Sequence, residues 1–202
     1  MAYSLHDGER IIKTARAALE LHLSSTNFNA KLLERYISDL YDNAALFVTL
    51  EHYPTGTPRG SAGYTKPEHP LHSAVVAAVV AATQDTRYVP VSHMEFEHLI
   101  IEVSILSKLG RITAKTSTTI PKSILPGVDG LYIEYGYHSA TFLPELQIRN
   151  GWSSEETLDE LCVAAGLQPH IWKSGSAKLY KFTTQRFREI TPRGHVEEII
   201  TE

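Results

Sequence analysis

Cysteine is nearly absent: Cys162 is the single cysteine in 202 residues, which excludes any internal disulfide and suits a reducing compartment. Long apolar runs are also missing. The longest, Ala74 to Ala82, is far too short to cross a bilayer. The first residues, Met1-Ala-Tyr-Ser-Leu-His-Asp7, lack a basic stretch followed by an apolar one, so no signal peptide is expected and the protein is read as cytoplasmic. There is no excess of positive charge. The formal charge of −4 argues against a nucleic-acid binder that works by bulk electrostatics, and the basic residues are scattered rather than striped. Internal repeats and low-complexity blocks are absent too.

Several chemistries are missing with them. The chain has no dinucleotide fingerprint and no phosphate loop ending in Lys-Ser or Lys-Thr. It has no His-Glu-x-x-His and no cysteine pair of zinc-ligand spacing. Arg59-Gly-Ser-Ala-Gly63 lacks the glycine two positions before serine that a nucleophile elbow requires. The ten histidines are loosely spaced. His69 and His72 can share a helix face, but no carboxylate or cysteine spacing supports a metal site, and none is assigned.

What is present is an ordinary soluble composition, 43% hydrophobic and 21% charged, in a chain long enough to bury a core unaided. Helical periodicity marks Ile11 to His22 behind the capping box Ser4-Leu-His-Asp7. A shorter helix is expected to present Leu32, Leu33, Tyr36, Ile37 and Leu40 on one side. The clearest helix carries Leu71, Ala74, Val75, Ala78, Val79 and Ala82 on its stripe. Ser153 to Glu156 opens another, with Leu158, Leu161, Cys162 and Ala165 inward, which makes Cys162 a core residue. Strands are expected at Ala44–Leu50, Leu99–Leu106, Gly130–Gly136, Ala140–Leu143 and Lys178–Thr183. Phe187–Ile190 reads as a last strand or turn. The tail from Thr191 reads as frayed, Leu109 to Thr119 as polar and threonine-rich, and Ile120 to Gly130 as a connecting segment between lobes with room for one short helix.

Thr57-Pro-Arg-Gly-Ser-Ala-Gly-Tyr64 reads as a glycine turn between a strand and a helix. Gly63-Tyr64 could begin a second strand, placing Arg59 and Ser61 at a hairpin tip or an irregular bend. Arginine offers a planar donor fork for a carboxylate or phosphate. Arg59, Gly60, Ser61, Gly63, Arg87 and Glu102 are therefore the ligand-binding candidates, and Ser61, Asp85, His138 and Glu145 the candidates for catalysis. A nucleophilic Ser61 would need a base such as His138 or His69 within about 3 Å. Asp85-Thr-Arg87 reads either as an internal ion pair fixing a loop or as part of a cleft. Glu102, mid-strand, must be paired if buried, or else face water.

Several ordered motifs resemble the AMME syndrome chromosomal-region protein family, in its archaeal or bacterial form. Pro58-Arg-Gly-Ser-Ala-Gly63 resembles the family's Leu-Arg-Gly-Cys-Ile-Gly, with Ser61 in place of the motif cysteine. Asp85-Thr-Arg-Tyr-Val-Pro90 resembles its Asp-x-Arg-Phe-x-Pro, and Glu102-Val-Ser-Ile-Leu106 its following strand. Gly136 through Leu146, Trp152 and Cys162 through Leu167 match later elements. The resemblance implies a single α+β family domain over 1–202. It would have two unequal lobes, each an antiparallel sheet flanked by helices, with a cleft between them and both termini in the larger lobe. It implies an enzymatic or modifying role beside a Memo-like or radical-SAM protein, and it names no cofactor. Serine at position 61 removes any mechanism that needs a thiolate there. The expected function is enzyme-like binding of a small anionic or nucleotide-like ligand in the cleft of a monomer. A scaffold or protein-interaction module is the alternative, with the ten tyrosines as possible anchors, and an RNA-binding protein the weaker one.

Overall fold

The computed structural model describes residues 2–24, 29–114 and 116–200. The chain divides into two compact units, one of residues 1–106 with 185–200, the other of residues 107–184.

In the first unit, α1 (Leu5–Ser24) starts on a reciprocal cap: the Ser4 amide and hydroxyl both donate to Asp7 Oδ2, and the Asp7 amide returns a bond to Ser4 Oγ. Its buried side carries Ile11, Ile12, Ala15, Ala18 and Leu19. α2 (Ala30–Glu34) passes at once into a 3-10 turn, Arg35–Ile37. Leu33 and Ile37, four residues apart, are buried while Leu32 and Tyr36, the neighbouring such pair, face solvent, so the single apolar side expected for this segment does not form. β1 (Leu46–His52) and β2 (Thr57–Tyr64) form a hairpin whose turn is 53–56, with Gly56 at φ 68° and its amide on His52 O. α3 (Leu71–Ala82) buries the six expected stripe residues together with Val76. β3 (Leu99–Leu106) pairs with β1, Thr49 opposite Glu102 and Leu50 opposite Ile101.

The second unit holds β4 (Gly110–Arg111), β5 (Gly130–Tyr135), β6 (His138–Phe142), α4 (Pro144–Asn150), α5 (Ser154–Ala164) and β7 (Lys178–Phe182). Its antiparallel sheet runs β4-β7-β5-β6. Leu131, Ile133, Leu158, Leu161, Cys162, Trp172 and Leu179 make its core. Burial raises the Cys162 thiol pKa, as befits a packed residue rather than a nucleophile. The reciprocal cap at Ser153 and Glu156 forms as its spacing predicts. Ile120 to Gly130, expected to link lobes, lies within this unit and contributes a 3-10 turn, Pro121–Ser123, and the first residue of β5.

The chain returns to the first unit along β8 (Thr184–Glu189), which pairs with β9 (Val196–Ile199). Val196–Ile199 of the tail is therefore the edge strand of the sheet β2-β1-β3-β8-β9, in place of the fraying expected there. Its ladder to β8 and the burial of Val196 supply what local sequence does not. Leu46, Val48, Leu50, Ile101, Val103 and Phe187 join α1 and α3 in one core. Each such side chain, buried fully, contributes about 1.5–3 kcal/mol. Among the described residues no helix is long and apolar enough to cross a membrane.

Candidate functional site

Arg59 owes its direction to a bulge. Leu50 pairs with Gly60 but Glu51 with Pro58, so Arg59 is an extra residue in β2. The segment expected as a glycine turn is thus a bulged strand. Its glycines answer to packing instead of turn geometry. A Cβ on Gly60 would lie 2.1 Å from Ala82 O at the end of α3. One on Gly63 would lie 2.1 Å from Leu46 O and 2.7 Å from Phe47 Cγ.

The Arg59 guanidinium is nearly buried and grips Glu95, Nε to Oε2 at 2.6 Å and Nη2 to Oε1 at 3.1 Å. Glu95 also accepts the Ser92 amide at 2.8 Å, half of the capping box that the spacing of Ser92-His-Met-Glu95 suggests. These bonds, Arg59's first, hold the Glu95 carboxyl down at about 2 from an ordinary 4.5. His52 Nε2 stands 4.0 Å from the same carboxylate.

Asp85 lies three residues beyond α3. It accepts the Ser61 amide at 2.9 Å and the Arg87 amide at 3.1 Å, an aspartate-led turn. Arg87 Nε and Nη2 close on it at 3.0 and 2.5 Å. Burial pushes this carboxyl up, but the Arg87 fork and the two amides outweigh it and bring it down to about 2. The Asp85 side chain is only 7% exposed, whereas that of Arg87 is 62% exposed. The Ser61 hydroxyl lies 3.1 Å from Thr49 Oγ1. No imidazole hydrogen-bonds to it among the described residues: His69 packs edge-on against Tyr64. His138 and Glu145 belong to the second unit, where His138 Nδ1 lies 3.0 Å from Ala165 O and Glu145 opens α4.

Glu102 is buried and forked by Arg186, Nε to Oε1 at 2.9 Å and Nη2 to Oε2 at 3.0 Å, with Ser104 Oγ adding a third bond. Glu51, two residues along β1 from Thr49, takes Arg188 Nη2 at 2.7 Å. Thr49, Ser61, Glu102 and Ser104 therefore share the sheet face opposite Leu50, Ile101 and Val103. Sequence reasoning did not assign Glu95, Thr49 or Arg186 to this cluster. Glu95 alone left a signal, as the acid of a cap. Among the described residues no group of three or more His, Cys, Asp or Glu is arranged to hold a metal ion.

Both low carboxyl pKa values set a pH window. The folded state binds fewer protons than the unfolded one below about pH 4.5, so the stability from Asp85 and Glu95 is full above that pH and drains away toward pH 2. The combined loss should be about 2 kcal/mol after allowance for solvent screening. Urea denaturation at pH 6 and pH 3 measures it. In Glu95→Gln the acid-dependent part should shrink, and an unchanged pH slope would contradict the assignment.

Helices packed on two antiparallel sheets, with an arginine-glycine strand at the centre of a carboxylate network, define an α+β class of protein. A family model, AMMECR1, matches residues 12–187, and the chain belongs to that family. Protein MJ0810 of Methanocaldococcus jannaschii is 36% identical over 196 residues, 96% of each chain. Protein PH0010 of Pyrococcus horikoshii is 35% identical over 203 residues, 98% of each. A crystal structure of the latter, described as an uncharacterised protein, superposes with a TM-score of 0.89 at 33% identity, covering 97% of this chain and 98% of that one.

Proposed function

We propose that the protein is an enzyme-like binder of a small anionic or nucleotide-like ligand, taken up on the first unit around Arg59, Ser61 and Arg87. One observation carries this reading. Both arginines meet a carboxylate through Nε and Nη2, which leaves Nη1 of each without a hydrogen bond among the described residues and steadied by its own ion pair. Donors fixed in advance lower the ordering cost of binding. The two arginines are balanced by Glu95 and Asp85, so affinity comes from directed hydrogen bonds more than from net charge. Asp85, with its pKa near 2, is a weak base at neutral pH and serves here to orient Arg87 and the Ser61 amide.

Thermal-shift and calorimetric titration with nucleotides, phosphate esters and carboxylates tests the proposal. At least one class should raise the melting temperature, and Arg87→Gln should weaken its binding about tenfold, the loss of one charged hydrogen bond. Arg59→Gln should do the same. A panel that shifts nothing, or equal affinity in both variants, refutes it.

A second reading rests on a different feature. Val89 and Met94, 79% and 85% exposed, project from the loop pinned at its ends by Asp85 and Glu95. Such apolar tips suit a protein partner of the Memo-like or radical-SAM kind. Val89→Ser with Met94→Ser would then abolish association with that partner while Arg59→Gln leaves it intact.

A further inference from the structure

In the second unit, β4 has two residues, and its ladder to β7 ends at the bond from the Ile112 amide to Leu179 O. Beyond it, residues 111–114 on one side and Gly175, Ala177 and Leu179 on the other border a groove of about 530 Å³. That volume lies in the range of about 300–1,000 Å³ in which small-molecule sites fall. Ile112, Ile120, Ala177 and Leu179 supply aliphatic walls, and the indole of Trp172 joins the lining. Trp172 is locked in place, since its Nε1–H donates to Asp159 Oδ1 at 2.7 Å. The indole is almost wholly buried, as is Leu179, so the apolar surface open to a ligand is that of the half-buried Ile112, Ile120 and Ala177.

Arg111 lines the same groove and is exposed. It makes no hydrogen bond or ion pair with any described side chain, whereas Lys173 and Lys181 of the same unit are tied to Glu155 and Asp129. A single unengaged guanidinium beside an apolar hollow matches one planar anionic group on an apolar body. A carboxylate fits that fork in two-point contact. A phosphate ester would call for more cations or a nest of amides than this lining provides.

We propose that this groove is a binding site for a small organic acid with a flat apolar body, its carboxylate meeting Arg111 and its ring lying against Ile112, Ile120 and Ala177. The site is independent of the one built around Arg59. The probe is 2-naphthoate, compared with neutral 2-naphthamide and with phenyl phosphate, titrated into the full chain by calorimetry and by NMR. The chain has two tryptophans, Trp152 and Trp172, so their indole N–H signals report location. 2-Naphthoate should bind saturably and move the Trp172 signal more than that of Trp152. 2-Naphthamide should bind at least about tenfold more weakly, and Arg111→Gln should lower naphthoate affinity by the same factor. Ala114→Phe, at an exposed lining position, should fill the groove and abolish binding without unfolding the chain. No saturable binding up to about 5 mM, where the binding energy falls near 3 kcal/mol, overturns the proposal. So does equal affinity in Arg111→Gln, tighter binding of phenyl phosphate, or binding that persists in Ala114→Phe.

Discussion

Arg16→Met should cost about 3–5 kcal/mol of stability, the usual penalty for leaving a buried charge without its partner. Arg16 on α1 and Glu189 on β8 are 8% and 2% exposed and form a two-point pair through Arg16 Nε and Nη2. Arg16 also donates to Phe96 O at 3.1 Å and Leu99 O at 2.6 Å, while Glu189 accepts the Ile101 amide at 2.9 Å. One guanidinium thus satisfies a carboxylate and two carbonyls, joining α1 to β3 and to the strand that re-enters the first unit. Methionine matches the length of the stem but supplies no donor. Replacing Glu189 by leucine as well should recover only part of the loss, because both carbonyls and the Ile101 amide stay unanswered. Urea denaturation of the single and double variants measures both effects. A single variant within about 1 kcal/mol of the parent would show that the pair contributes little beyond the hydrophobic packing around it.

Gly60→Ala should cost about 3 kcal/mol, at the upper end for forcing one methyl into a closed core. The obstacle is Ala82 O, 2.1 Å from the new carbon, and a backbone carbonyl cannot rotate aside. Relief requires the end of α3 to move away from β2. Asp85 lies only three residues beyond α3, so its bond to the Ser61 amide should lengthen and that amide should exchange with solvent faster. Gly56→Ala is the control. Open space surrounds Gly56, and the cost there is the positive φ of 68° alone, about 1 kcal/mol. Equal losses at the two positions, or unchanged exchange at Ser61, would show that α3 is not held against β2 through this contact.

The elements read correctly from the chain were those whose cause is local. The stripe of α3 is a spacing of alanines and valines within twelve residues, and all six of its expected members are buried. The caps at Ser4 and Ser153 are bonds between residues three apart. The alternation of β3 was legible for the same reason, as was the core position of Cys162. β2 was misread because Gly60 and Gly63 carry the same letters as a turn. Their reason lies in Ala82 and Leu46, which only packing brings near. β9 has no strong pattern of its own and becomes a strand through its ladder to β8.

The candidate site divides along the same line. Arginine, serine and aspartate were visible as chemistry, but their partners were not: Arg59 meets a residue 36 positions away, and Glu102 one 84 away. Composition and short-range periodicity settled a helix-and-sheet protein with one inert cysteine, because those properties depend on neighbours within a turn or a pleat. Which carboxylate neutralises which arginine, and hence which nitrogen each still offers, was decided by folding. Charges pair through space, and the spacing of residues along a chain does not encode the distance between them once it has folded.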